Sequence, residues 1–301
     1  MRTGRNPFNL RLPTLGGRQF WGDVLFFRGY RIQQNALTGH FRLLSPTDVR
    51  LAWGRREHCQ NVLDQLKIDN HLAPMSGRAV VLIHGIFRSS KSFAHFARQL
   101  ATTADQTVPF DYPSTRVPLS LAAGYLDQLL QSLEGIHTID FVVHSMGGLL
   151  VRTWLQQQSG QRDSRLHRMV MLGVPNQGAQ MANLLHRNPI FRWTYGPAGQ
   201  QLVEGPAAFV RNLPVPDFPF AIVAGGRGDS RGWNPLISGD DDGTVSVGAT
   251  RLQGAADFIE IPTLHSTMMW NSQVISATIR FLQTGALRED GLRHPVEECS
   301  A

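Results

Sequence analysis

The stretch that most constrains this chain runs from Ile139 to Leu155. An apolar run, Ile139 to Val143 broken only by Asp140, leads into His144-Ser145-Met146-Gly147-Gly148. The helical pattern Leu149-Leu150-Val151-Arg152-Thr153-Trp154-Leu155 leaves it. A strand that passes through one serine straight into a helix must turn sharply there, and that turn lifts the hydroxyl clear of the sheet. Gly147 and Gly148 have no Cβ, so the helix can start close against its strand. The layout makes Ser145 a candidate nucleophile and asks the rest of the chain for a base, an acid and an oxyanion hole.

The surrounding pattern fits such a strand. Ala79–Ile83, Thr107–Phe110, Thr138–Val143, His167–Gly173, Phe218–Ala224 and Phe258–Leu264 read as strands. Helical spacing lies between or after them at Ser92–Leu100, Leu119–Leu133, Met146–Gln157 and Asn271–Gln283. Continuous apolar strands alternating with helices predict a mostly parallel α/β sheet covered on both faces. This domain is expected over residues 78–284, after a basic N-terminal extension, 1–77, and before a polar tail, 285–301. Within the extension, Trp21–Asn35 and His40–Leu44 read as short strands, and Thr47–Leu72 has helix-like spacing interrupted by Gly54. Pro74–Gly77 reads as a linker. Between residues 175 and 219 the periodicity weakens and prolines, glycines and aromatic residues accumulate, which predicts a small cap or lid above the strand ends.

Composition sets outer limits. With 42% apolar and 17% charged residues, the 301-residue chain can bury a large core. It has no apolar run of about eighteen residues that would span a bilayer, and no apolar segment follows the basic N-terminus as in a secretory signal. Two cysteines, Cys59 and Cys299, do not make a disulfide framework. A cytoplasmic location is therefore expected. Residues 1–56 hold ten Arg against Asp23 and Asp48, a net of +8 within a total of +6. Such a segment could touch an anionic membrane peripherally. The plainer reading, and the one the composition favours, is the solvated face of an arginine-preferring chain, which has 27 Arg and 2 Lys. Nucleic acid is not the expected partner.

A serine hydroxyl needs a base, and the base needs an orienting carboxylate. Where the order is Ser, then acid, then His, only His167, His186, His265 and His294 can serve. His265 follows the last strand on a short loop and is the expected base. The acid must fall between Ser145 and His265. Asp242, in Asp240-Asp241-Asp242-Gly243, is the choice and Asp229 the rival. Adjacent carboxylates repel, so one of the three is expected to have a task and the others to be solvated. Their spacing is not that of a calcium loop, and no metal is expected. The oxyanion hole calls for the amide after the nucleophile, Met146, and one from the loop Ile83-His84-Gly85-Ile86-Phe87. Ile86 is the expected donor and Phe87 the rival, while His84 and His144 are expected to brace the two loops. Phe87, Trp193 and Phe209 are candidates to line an apolar substrate pocket.

These motifs together resemble the α/β-hydrolase lipases and esterases. His-Ser-Met-Gly-Gly at 144–148 and His-Gly-Ile at 84–86 look like motifs of small bacterial triacylglycerol lipases. Leu172–Gly178, Leu-Gly-Val-Pro-Asn-Gln-Gly, looks like a segment of those lipases and of inositol-deacylase relatives. The resemblance covers about residues 78–284. Val143 stands where such elbows usually begin with Gly, and residues 1–75 have no counterpart in minimal lipases. The resemblance implies hydrolysis of carboxylic esters or lipids through an acyl-enzyme on Ser145, with no cofactor. Thioester, amide or acyl-transfer chemistry would use the same residues. A non-catalytic membrane- or nucleic-acid-docking protein on this fold is the alternative from another class.

Overall fold

Short strands open the chain and pair antiparallel. They are β1 (Leu12–Pro13), β2 (Trp21–Phe27), β3 (Tyr30–Asn35), β4 (Phe41–Leu44) and β5 (Val49–Gly54), in the order β1-β5-β4-β3-β2. The structure, a computed structural model, describes residues 12–13, 18–101, 103–158, 160, 162–178 and 209–297. The helix expected across Thr47–Leu72 begins only at Arg56, where α1 (Arg56–Asp69) starts. Val49 and Trp53 are four apart, a spacing that satisfies a strand as well as a helix, and pairing with β4 and β1 decides for the strand.

This first sheet shares a core with the rest of the protein. Val24, Phe26, Ile32, Leu43, Ala52, Cys59 and Leu63 belong to the same buried cluster as Val81, Phe110, Leu126 and Phe141. Each fully buried Leu, Ile or Phe there contributes about 1.5–3 kcal/mol. A polar cluster also joins the two parts. Asp23 is fully buried, its Oδ1 accepts from Gln33 Nε2 at 2.7 Å, and its Oδ2 accepts from the Asp111 amide at 2.6 Å. The Asp23 amide donates back to Asp111 O at 2.9 Å. Arg31 pairs with Asp111 at 2.8 Å and with Asp48. Loss of hydration pushes the Asp23 carboxyl up to about 7, against the opposing pull of Arg31. Arg31 and Arg42, two of the ten arginines of the basic segment, are thus buried inside the protein.

The second sheet contains β6 (Gly77–Ile83), β7 (Gln106–Phe110), β8 (Ile136–His144), β9 (Leu166–Leu172), β10 (Phe220–Gly226) and β11 (Asp257–Pro262). Its order is β11-β10-β9-β8-β6-β7, and every neighbouring pair is parallel. Alternate residues of one strand enter different cores. Ala79, Val81 and Ile83 face α3 (Leu119–Gln131) and α4 (Met146–Gln157), while Val80 and Leu82 face α2 (Ala94–Leu100) and α6 (Ser272–Thr284). A short helix, α5 (Val247–Thr250), precedes β11. After β6 the chain steps to β7 on one side and then to β8 on the other. Loops therefore diverge at the carboxyl ends of β6 and β8 and leave a crevice between them. Among the described residues no helix is long and apolar enough to cross a membrane.

Candidate active site

The crevice is where Ser145, Asp242, His265 and the loop through Gly85 meet. Ser145 sits between β8 and α4 at φ 55, ψ −127, a backbone region that a side chain rarely occupies. Its amide donates to Leu172 O at 2.9 Å, tying the turn to β9. Val143, in the place usually held by Gly, is buried in the core next to Ile83 and Met171, so its side chain points away from the turn's tight approach. That tight approach is made by Gly85. A Cβ there would lie 2.8 Å from Ser145 Cβ and 3.1 Å from His144 Nδ1.

His265 follows β11 on a 3-10 turn, His265–Trp270. Its Nε2 lies 3.0 Å from Ser145 Oγ, and its Nδ1 lies 2.6 Å from Asp242 Oδ2. A carboxylate only accepts, so Nδ1 carries the proton and Nε2 is left free to accept from the serine hydroxyl. Asp242 is buried, and its other oxygen accepts from the Thr244 and Val245 amides at 3.0 and 2.7 Å. Its carbonyl accepts from the His265 amide at 2.8 Å, which ties the acid and base loops together. Asp229, the rival acid, is exposed and caps the amides of Arg231 and Gly232. The expectation that Asp240 and Asp241 are merely solvated is corrected. Asp240 accepts from the Arg227, Gly228 and Asp241 amides, and buried Asp241 from those of Asn234 and Gly243. Mutual repulsion is offset because each carboxylate has its own set of amide donors. Among the described residues no group of three or more His, Cys, Asp or Glu could hold a metal ion.

The two flanking histidines brace the site. His144 Nε2 donates to His265 O at 2.9 Å, leaving Nδ1 as a buried acceptor without a partner among the described residues. Burial, reinforced by the neighbouring His265 imidazole, holds the His144 imidazole well below the ordinary histidine range. His84 stacks on Tyr112 at 4.6 Å between centroids, and Tyr112 OH donates to His84 O at 2.8 Å.

The Met146 amide is the first of α4, where no intrahelical acceptor exists, and Ile86 donates to no protein acceptor among the described residues. Phe87 stands at φ 58 and is 45% exposed, with Ile86 half-buried against the core. Phe209 is half-buried against the main core, and Trp193 lies outside the described residues, as does residue range 179–208 of the expected cap. Sequence reasoning reads Gly173 only as part of the Leu172–Gly178 segment and gives Asp111 no role. Gly173 stands directly against the Asp242–His265 pair, and Asp111 accepts from Ser90.

Residues 46–209, over half of the chain, match the profile of the family described as a domain of unknown function, DUF7379. The chain belongs to that family. The matched part of this DUF7379 member includes Ser145 and the 84–88 loop and ends before Asp242 and His265. No curated protein matches it. Among solved structures it is similar to the Bacillus licheniformis lipase BlEst2. The propeptide form gives a TM-score of 0.57 at 18% identity over 76% of this chain and 54% of that one. The mature form gives 0.52 at 17%, over 70% and 94%. Phospholipase PlaB from Legionella pneumophila gives 0.54 at 16%, over 69% and 60%. This DUF7379 member thus spans about half of the BlEst2 propeptide form. At these identities the likeness is one of fold, and the fold is that of the α/β-hydrolases.

Proposed function

We propose that this chain is a serine carboxylester hydrolase of the lipase/esterase type. The observation that carries the reading is the hydrogen-bonded line from Asp242 through His265 to Ser145, with segments that leave the carboxyl ends of three different strands meeting in one crevice. In this reading His265 Nε2 takes the Ser145 proton as Oγ attacks the ester carbonyl carbon. The carbonyl oxygen becomes an oxyanion held by the Met146 and Ile86 amides. On collapse, His265 passes its proton to the leaving alkoxide, and the acyl group stays on Oγ. Water then attacks that acyl group with His265 again as base, and the acid is released with Ser145 restored. Asp242 holds the Nδ1 tautomer and stabilises the imidazolium.

An apolar acyl group suits the surroundings. Phe87, Leu264 and Trp270, in the oxyanion loop and beside or after His265, are 45%, 40% and 52% exposed. The test is a panel of p-nitrophenyl esters from short to long chain, with thioester and anilide analogues beside them. Ester turnover that disappears in Ser145→Ala is expected. Equal turnover by wild type and Ser145→Ala, or turnover of the thioester or anilide alone, would overturn the reading.

A further inference from the structure

Residues 84–90 form the loop that carries the Ile86 amide, and its conformation is not one it would hold unaided. Phe87 has a positive φ of 58°, which is costly for an aromatic residue and persists only where neighbours over-determine it. One neighbour, Gln19, comes from the N-terminal part, and another, Asp111, follows β7 and is itself backed by that part. Gln19 Nε2 donates to Arg88 O at 3.1 Å. The Gln19 amide group is itself oriented, because its Oε1 accepts from Ser114 Oγ at 2.9 Å and Thr115 Oγ1 at 3.0 Å. At the far end of the loop, Asp111 Oδ1 accepts from the Ser90 amide at 2.7 Å and Oδ2 from Ser90 Oγ at 2.8 Å. Asp111 is in turn fixed by Asp23, whose amide donates to Asp111 O and whose carboxylate accepts from the Asp111 amide, and by the Arg31 guanidinium. Asp23, Arg31 and Asp111 are all more than nine-tenths buried, so this is a shielded, directional contact. Gln19 stands in the 3-10 turn Arg18–Phe20 just before β2, and Asp23 and Arg31 stand in β2 and β3.

We propose that the N-terminal antiparallel sheet braces the oxyanion loop, with Gln19 and Arg31 as positioning residues that set the Ile86 amide opposite Ser145. The proposal rests on the esterase reading of the same site. An oxyanion donor works only when held within about 0.5 Å of its productive place, and a loop that also carries a strained Phe needs its two ends fixed to reach that. Gln19 holds one end directly, and Asp23 and Arg31 back the Asp111 that holds the other. Residues that have no counterpart in minimal lipases thereby acquire a task in the chemistry.

The test compares wild type with Gln19→Leu, Gln19→Glu, Arg31→Met and Arg31→Lys, and with Leu37→Ser as an exposed control in the turn between β3 and β4. Gln19→Glu keeps an acceptor for Ser114 and Thr115 but cannot donate to Arg88 O. Two readouts are taken: amide hydrogen exchange over residues 84–90, and hydrolysis of p-nitrophenyl butyrate with inhibition by a trifluoromethyl ketone, whose adduct carries an oxyanion. Both Gln19 variants are expected to exchange about tenfold faster across the loop and to lose about tenfold in kcat with KM within about twofold, the ketone weakening in step with kcat/KM. Arg31→Lys, which keeps a cation beside Asp111, is expected to retain more activity than Arg31→Met, and Leu37→Ser to match wild type. If Arg31→Met does not fold, the Gln19 pair still decides. Unchanged exchange over residues 84–90 in both folded Gln19 variants overturns the brace, as does faster exchange with kcat and ketone affinity unmoved. A wild type that hydrolyses no ester counts against the esterase reading alone, because the exchange measurement still decides whether the sheet holds the loop.

Discussion

Replacing Gly173 by Ala should uncouple the acid from the base with little damage to the fold. Gly173 follows β9 at φ 55, and a Cβ there would lie 2.9 Å from Met268 Sδ and 3.1 Å from both Asp242 Oδ2 and His265 Nδ1. Those last two atoms are the ends of the 2.6 Å hydrogen bond that orients the base. Comfortable contact with a carbon is about 3.5 Å or more, so each must retreat by some tenths of an ångström. The Met268 thioether can swing aside. Asp242 cannot move freely, because its backbone is bonded to Val245 and His265 and its Oδ1 is held by two amides. The methyl therefore relieves itself by tilting the imidazole. A misplacement of about 1 Å costs on the order of 10²-fold in rate, so a shift of half that predicts a loss of about 10-fold in kcat with KM little changed. The left-handed backbone adds about 1–2 kcal/mol of instability, a fall of a few degrees in Tm. The assay is steady-state hydrolysis of p-nitrophenyl butyrate beside thermal unfolding by circular dichroism. A folded Gly173→Ala enzyme with kcat within about twofold of wild type would refute the argument that this glycine leaves room for the Asp242–His265 contact.

The same geometry gives two more expectations. Asp242→Asn should lower kcat by about 10⁴-fold, because the amide no longer fixes the Nδ1 tautomer, whereas exposed Asp229→Asn should stay within about twofold; the two rate measurements reversed would reassign the acid. Asp23 is held above its ordinary range, up to about 7, by burial. A raised carboxyl contributes stability that is fully present at acid pH and is lost as pH rises through its folded value. Asp23→Asn should therefore gain stability relative to wild type between about pH 4 and about pH 7, read as a Tm difference that grows with pH; a difference that shrinks would mean that Arg31 and not burial governs Asp23.

Much of the site was legible because its chemistry is local in sequence. Ser145 is announced by its own strand and helix, and His265 by the end of the last strand. Chain order limited the acid to the carboxylates between Ser145 and His265, and the cluster beside Gly243 then singled out Asp242. The triplet 240–242 was legible as a place but not as a division of labour, since the donors that separate its members come from Arg227, Gly228, Asn234 and Gly243. The long-range contacts were hidden altogether. Nothing near Gly173 in sequence reveals that Asp242 and His265 close over it. Val49–Gly54 reads as helix because residues four apart fit two periods, and only pairing with β4 and β1 decides. The N-terminal residues read as a basic extension because arginine count carries no sign of burial, yet Arg31 is enclosed by Asp23, Asp48 and Asp111.

The central claim is that Ser145 is a nucleophile activated by His265. Treatment with a fluorophosphonate ester, with intact-mass measurement and peptide mapping, tests it directly. The account predicts one adduct per chain, on the Ser145 peptide, absent in Ser145→Ala and formed about 10³-fold or more slowly in His265→Ala. No adduct on the wild type, an adduct on another residue, or equal labelling of Ser145→Ala would contradict it.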